Sequence, residues 1–211
     1  MKKKIIIVDY GVGNLASLLK AIKQFTGNVI ISEEAEDVNG AKALVLPGTG
    51  SYEAGMRGLA VRGLTSAVLE IARRGTPILG ICLGAQLLLS KGFEFGEHDG
   101  LGLIEGNVVS FPRLSSGVKV PQIGWNSLVT PSGKNWGNSI LKGINFDNQV
   151  YFVHSYILAP KKKEDILAFT DYGGFKFCSA IKRANITGVQ FHPEKSGEVG
   201  LRIIKNFIDT V

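Results

Sequence analysis

Four short apolar runs, "IIIV" at 5–8 closed by Asp9, "VIIS" at 29–32, "ALVLPG" at 43–48 and "PILGIC" at 77–82, constrain this chain more than any other feature. Each is too short for a core helix and none alternates apolar with polar, so each suits a strand covered on both faces. Between them the period changes. Leu15, Leu18, Leu19, Ile22 and Phe25 recur at helical spacing with Gly27 closing the segment, and Leu64, Ala67, Val68 and Ile71 form a second stripe ending at Arg73, Arg74 and Gly75. Strands alternating with helices at this pitch build a parallel sheet with right-handed crossovers, and ligands gather at the carboxyl ends of its strands.

From about Leu101 to Phe191 the texture turns to extended segments, "NVVSFP", "PQIGWNSLVT", "QVYFVHSYILAP", "ILAFTDYG", "FKFCSAIK" and "ITGVQFH", separated by Gly, Pro and charged turns. The tail returns to helical spacing through Leu201, Ile204 and Ile208. The expectation is an α/β fold: a central, mostly parallel sheet flanked by helices, with an additional antiparallel β-rich part, in a single domain over 1–211. A chain of 211 residues that is 45% hydrophobic can bury such a core without disulfides or metal.

Two cysteines, Cys82 and Cys178, and no secretory or transit segment point to a reducing compartment, by default the cytoplasm. The charged start "MKKKIIIVDYG" is not read as a signal peptide, because its apolar run stops at Asp9, and no segment is long enough to span a membrane. A net charge of +6 is compatible with nucleic acid, an acidic protein or a phosphorylated substrate. The lysines nevertheless cluster at segment ends, 2–4 and 161–163, without interleaved aromatics, a pattern of solvated turns rather than of a nucleic-acid surface.

Cys82 stands in "GICLGAQLL", flanked by Gly80 and Gly84 between a strand and a helix. This is the geometric logic of a nucleophile elbow: glycines supply unusual dihedrals and let a substrate approach, while the following helix points free N–H groups at the sulfur and favours thiolate. The plainer alternative is a small buried hydrophobe. In "TGVQFHPEKSG", His192 ends an apolar strand and Glu194 lies two residues on, a spacing that in an extended segment directs both side chains to one face. A carboxylate can then hold one imidazole nitrogen while the other faces a thiol, giving nucleophile, base and orienter. The alternative is a strand-capping histidine and a solvated turn glutamate. One Cys, one His and one Glu spread along the chain lack zinc-ligand spacing, so no metal is expected. His98 in "EHDG" reads as a solvated turn residue, His154 in "YFVHSY" as a hydrogen-bonded group lining the site, and Cys178 as structural.

Together "GICLGAQLL", "GVQFHPEKSG" and the oxyanion-type loop "LPGTGSYEAGM" resemble the class I, triad-type glutamine amidotransferases, whose fold is flavodoxin-like, and the match runs end to end. The segments "IVDYGVGNLASL", "PQIGWNSL" and "YFVHSY" are similar, more narrowly, to the glutaminase subunits that serve imidazole glycerol phosphate synthases. The resemblance implies hydrolysis of glutamine to glutamate and ammonia without a cofactor. The ammonia would pass to a (β/α)8-barrel cyclase partner in a heterodimer of histidine biosynthesis.

On this numbering the resemblance makes Cys82 the nucleophile, His192 the acid and base, and Glu194 its orienter. Gly48, Thr49, Gly50 and the Leu83 N–H would form the oxyanion hole, each donor worth about 2.7–4 kcal/mol by analogy with other such sites. Gln86 and Glu94 would hold the polar ends of glutamine, with backbone contacts from Ser155 and Tyr156. Trp125, Tyr151 and Lys195 match partner-facing positions near the ammonia exit, and Asn14 matches a position coupling the two sites. Read without the resemblance, Gln86 is a polar residue of a first helical turn, Glu94 a surface charge, and Trp125 and Tyr151 core aromatics. Two departures stand out. Thr49 replaces the usual Val after Pro-Gly, which bears on how that peptide turns, and "VPQIGWN" replaces "PHMGWN" at Gln122 and Ile123. The latter leaves room for a paralogue feeding a different cyclase-like synthase, as in surface-sugar amidination; a non-catalytic flavodoxin-like regulatory module is the remaining alternative.

Overall fold

The computed structural model describes residues 4–211. The four apolar runs form β1 (Ile5–Val8), β2 (Val29–Ser32), β3 (Ala43–Leu46) and β4 (Ile78–Ile81). A fifth strand, buried throughout like β1, β3 and β4 and called β13 in chain order (Ile186–Val189), comes from far along the chain and lies parallel beside β4. The parallel half of the sheet therefore runs β2-β1-β3-β4-β13, a flavodoxin-like order whose direction of growth reverses at β1.

Continuous apolar runs are needed because helices cover both faces. Alternate residues of β1 feed opposite cores, and none from Ile5 to Val8 is more than 2% exposed. Ile5 and Ile7 join Leu18, Ala21 and Ile22 of α1 (Leu15–Lys23) and Ile203, Ile204 and Phe207 of α6 (Gly197–Ile208). Ile6 and Val8 join the other face, packed by α2 (Ala35–Asn39), α3 (Tyr52–Val61), α4 (Leu64–Arg73) and the single turn α5 (Leu83–Leu87).

The β-rich half continues the same sheet. From β13 it runs antiparallel through β12 (Phe175–Arg183), β10 (Tyr156–Pro160) and β7 (Ile104–Ser110), then to β5 (Leu89–Gly92) and β6 (His98–Asp99), with β11 (Ile166–Tyr172) paired to β12. A separate antiparallel ribbon joins β8 (Gln122–Ser127) to β9 (Gln149–His154), burying Val150 and Phe152 in the α1–α6 core.

Several elements differ from the sequence reading. "QVYFVHSYILAP" is two strands of different sheets broken at Ser155, because the chain leaves the ribbon there to enter the main sheet. Helix α1 stops at Lys23; Phe25 lies beyond it, 37% exposed, and Gly27 is not a left-handed cap. The loop read at 46–56 contains the start of α3, capped by Ser51, whose Oγ accepts the Ala54 N–H at 3.4 Å. Lys161–Lys163 occupy an exposed turn between β10 and β11, whereas Lys2 and Lys3 lie outside the described residues. Among the described residues no helix is long and apolar enough to cross a membrane.

Candidate active site

Cys82 is the first residue past β4. Its N–H donates to the Val189 carbonyl at 2.8 Å, extending the β4–β13 pairing, and its carbonyl accepts the Gln86 N–H at 3.1 Å to start α5. This abrupt switch puts Cys82 at φ 51°, ψ −108°, a conformation of order 1–3 kcal/mol above the common ones for a residue with a side chain. The unusual dihedrals thus belong to the cysteine, not to the flanking glycines as the sequence suggested. Gly80 and Gly84 have ordinary φ values and are required by packing: a Cβ on Gly84 would lie 1.9 Å from the Leu46 carbonyl oxygen, and one on Gly80 would lie 2.7 Å from that of Gly84. Helix α5 is pressed onto β3 and β4, and its first N–H groups, which no turn of helix can satisfy, open beside the sulfur.

His192 approaches from β13. That strand ends at Val189, and the His192 N–H donates to the Tyr151 carbonyl at 2.9 Å. Ser196 ties the segment down: its hydroxyl donates to the His192 carbonyl at 2.6 Å and accepts the Tyr151 N–H at 2.9 Å. Glu194 lies in a 3₁₀ turn, Pro193–Lys195, rather than in an extended segment, and that turn folds its carboxylate back to 2.8 Å from His192 Nδ1. Both side chains are buried, and His192 Nε2 and Glu194 Oε2 have no hydrogen-bond partner. Burial opposes a charge on the ring, but the Cys82 thiol and the Glu194 carboxylate outweigh it and raise His192 from 6.5 to about 9.

A cleft of about 320 Å³ opens above the sulfur, lined by Thr49, Gly50, Leu83, Gln86, Glu94, Ser155 and Tyr156 together with Pro121, Val153 and His154. It therefore collects the residues singled out in three separated segments of the sequence, in the size range of small-molecule sites. Glu94 reaches it while accepting the Tyr52 N–H at 2.6 Å, at the start of α3. Gln86 Nε2 donates to the Tyr156 carbonyl at 3.3 Å and to Gln190 Oε1 at 3.2 Å, which leaves its Oε1 for a ligand. Gly48 lies beneath the cleft rather than on its wall: a Cβ there would meet Leu83 Cβ at 2.6 Å and Tyr10 Oη at 2.8 Å. The Tyr10 hydroxyl donates to the Pro47 carbonyl just before it. Gly50 adopts φ +135°, a conformation that favours glycine.

His154 is held neutral: burial lowers it to about 4, Nδ1 donates to the Tyr156 carbonyl at 2.8 Å, and Nε2 faces the Gln122 side-chain amide at 3.1 Å. It is thus a hydrogen-bonded lining group. His98 is not a free turn residue; it belongs to β6, with Nε2 3.1 Å from the Glu94 carbonyl. Cys178 is buried, which pushes its thiol far up.

Besides Gly48, and His192 and Glu194 next to the sulfur, four singled-out residues do not line the cleft. Asn14 caps α1, its Oδ1 accepting the Ser17 N–H at 3.3 Å. Trp125 and Tyr151 meet edge to face at 5.9 Å on the ribbon, with Lys195 Nζ 6.0 Å from the Tyr151 ring centre. Trp125 is 51% exposed beside Ile123 at 62%, so the core reading of this tryptophan fails. This apolar patch lies directly behind His192, whose N–H is bonded to Tyr151. The sequence reading passed over Gln190, a fully buried residue whose Nε2 lies 3.6 Å from Cys82 Sγ. A polar residue between the apolar Val189 and Phe191, two before His192, was the available signal.

Among the described residues no group of three or more His, Cys, Asp or Glu is placed to hold a metal. A larger cleft of about 830 Å³, lined by Lys142, Lys182, Arg202 and Lys205 among others, lies at the opposite end of the parallel strands and contains neither cysteine nor histidine. The chemistry converges on the smaller one: a thiol, an imidazole whose proton affinity the thiol raises, and polar groups around a cleft.

This fold and this site define a class. The family model described as glutamine amidotransferase class-I matches residues 6–211, and the chain belongs to that family. It is 49% identical over 208 residues to the imidazole glycerol phosphate synthase subunit HisH 1 of Legionella pneumophila (strain Lens), covering 96% of this chain and 97% of that one. The subunit HisH of Wolinella succinogenes is 44% identical over 205 residues, covering 96% and 98%. The structure of PurLQS from Thermotoga maritima shares the fold, with a TM-score of 0.73 at 19% identity, covering 100% of this chain and 99% of that one. The chain is a glutamine amidotransferase, an enzyme of the glutaminase type.

Proposed function

We propose that this chain is the glutaminase subunit of an imidazole glycerol phosphate synthase, acting in the cytoplasm as one half of a heterodimer whose (β/α)8-barrel partner consumes the ammonia in histidine biosynthesis. The observation that carries the chemistry is Cys82 on the wall of the lined cleft, with a His192–Glu194 pair 2.8 Å apart whose imidazole the thiol influences directly. The extent of similarity to the named subunits supports the pathway.

In this reading Glu94, the free Oε1 of Gln86 and the backbone at Ser155–Tyr156 hold the polar ends of glutamine, setting its side-chain amide over Cys82. The sulfur attacks the amide carbon. The oxyanion that forms is met by the Leu83 N–H and by an N–H of the Gly48-Thr49-Gly50 turn. His192, carrying its proton because its affinity is raised, gives that proton to the departing ammonia, then takes one from the water that cleaves the glutamyl thioester. Glu194 keeps the ring in the tautomer and orientation that present Nε2 to the sulfur. Ammonia leaves toward the Trp125–Tyr151–Lys195 patch, which faces the partner.

The test is ammonia release from glutamine by the purified chain with and without a co-expressed barrel cyclase and its nucleotide ligand. Glutamine turnover is expected to rise many-fold with the liganded barrel and to vanish in Cys82→Ala, while synthase activity with added ammonium salt survives. Stimulation only by an unrelated synthase would overturn the pathway, and undiminished turnover in Cys82→Ala the mechanism.

A further inference from the structure

The sulfur of Cys82 has two polar neighbours besides His192. The Val153 carbonyl lies at 3.9 Å and can only accept; Gln190 Nε2 lies at 3.6 Å and can only donate. Which end of Gln190 faces the sulfur follows from its surroundings. The Tyr156 carbonyl accepts and cannot donate, so Gln86 must point its NH₂ end there, and that same end meets Gln190 at 3.2 Å. Gln190 must then offer Oε1 to Gln86, which turns its NH₂ toward Cys82. Its own backbone N–H is fastened to the Ser179 carbonyl at 2.9 Å, and the side chain is 0% exposed, so neither water nor a rotamer change competes. A buried amide of this kind has few acceptors available, and a thiolate is the strongest within reach.

We propose that Gln190 is a further member of the catalytic centre: it donates a hydrogen bond that favours the thiolate of Cys82, and through Gln86 it joins the nucleophile to the part of the cleft that holds the substrate's polar end. The link to substrate rests on the glutaminase reading; the hydrogen bond to sulfur does not. The other titratable groups facing the thiol are His192, with Glu194 behind it, Tyr10 beneath, and Glu94 and the neutral His154 across the cleft. Of these His192 alone can also donate to the sulfur along its line of proton transfer. Gln190 approaches from the strand side and stays in place while the imidazole gives up its proton, so the sulfur keeps a donor throughout the cycle.

The test measures the rate at which iodoacetamide alkylates Cys82, by intact mass and peptide mapping, as a function of pH in the full chain and in Gln190→Met and Gln190→Glu. Methionine keeps the volume without a donor; glutamate keeps the shape and replaces the donor by an acceptor. Loss of a hydrogen bond to a charged acceptor is worth roughly a tenfold change in equilibrium. The midpoint should therefore move up by about one pH unit in Gln190→Met, with about tenfold slower alkylation below it, and further in Gln190→Glu. Glutaminase activity of both variants should fall with it. An unchanged midpoint in a Gln190→Met protein with a native circular dichroism spectrum and melting profile overturns the proposal, since a packing role alone would leave the profile where it was. If neither variant folds, the side-chain amide signals of Gln190 in the wild-type NMR spectrum decide: they should titrate together with alkylation and stop titrating in Cys82→Ser, and indifference to pH overturns the proposal. A shifted midpoint in a chain whose wild type never hydrolyses glutamine would leave this hydrogen bond standing and remove the glutaminase reading.

Discussion

Replacing His154 by Gln should change how the stability of this protein depends on acid. The ring is packed among Phe111, Phe152 and Phe177 at centroid distances of 5.2, 5.6 and 5.2 Å, and burial lowers its proton affinity from 6.5 to about 4. At ~1.4 kcal/mol for each tenfold change in affinity, protonating it in place opposes folding by about 3 kcal/mol. The unfolded chain binds this proton below pH 6.5 while the folded one refuses it until about pH 4, so the contribution is present above 6.5 and is lost as pH falls through that window. His192 carries the opposite sign: raised to about 9, it stabilises fully below 6.5 and loses that contribution as pH rises through 9, outside the acid window. Urea unfolding of wild type and His154→Gln at half-unit steps from pH 7 to 4.5 reads the effect. Glutamine should lower stability at pH 7 by a fixed amount for lost ring contacts, and the gap should narrow by about 2 kcal/mol by pH 5. Two curves that stay parallel from pH 7 to 4.5 would refute the argument, since they would mean the buried ring takes its proton as easily as an unfolded one.

Glu194→Gln should move the basic limb of the pH dependence of kcat/KM for glutamine down from about 9 toward 6.5, because the carboxylate that helps hold the imidazole's proton is gone; a limb that does not move assigns Glu194 to structure alone. Gly84→Ala places a methyl 1.9 Å from the Leu46 carbonyl and should cost about 3 kcal/mol, a drop of roughly 6–12 °C in Tm for a chain of this size, read by calorimetry. Trp125→Ala removes a half-exposed side chain, so Tm should hold within the ~0.5 kcal/mol typical of surface changes, while affinity for the proposed barrel partner, measured by calorimetric titration, should weaken by about 2 kcal/mol or more.

The parallel core was readable because burial on both faces leaves a local mark, an unbroken apolar run, in β1, β3 and β4; β2 has a similar run but lies at the sheet edge with Ile30 36% exposed, so the expectation of cover on both faces fails for that strand. Helix α3 left no such mark. Its glycines argue against helix, and at Gly58 the reason is tertiary: a Cβ there would lie 2.0 Å from the Tyr10 carbonyl oxygen, so packing imposes a residue that local propensity disfavours. The site divides in the same way. Cys82, His192 and Glu194 were visible as motifs, but nothing local to either motif places them together. What does so is the register of two adjacent parallel strands, with Ile81 opposite Val189. That pairing makes the residues following both strands converge, Cys82 from one and Gln190 and His192 from the other. A one-residue slip of β13 against β4 could not be absorbed, because it would exchange the faces to which Gln190 and Phe191 point and turn His192 away from the sulfur. The chemistry here is thus a property of strand register, and the motifs are the ends of the two strands that the register aligns.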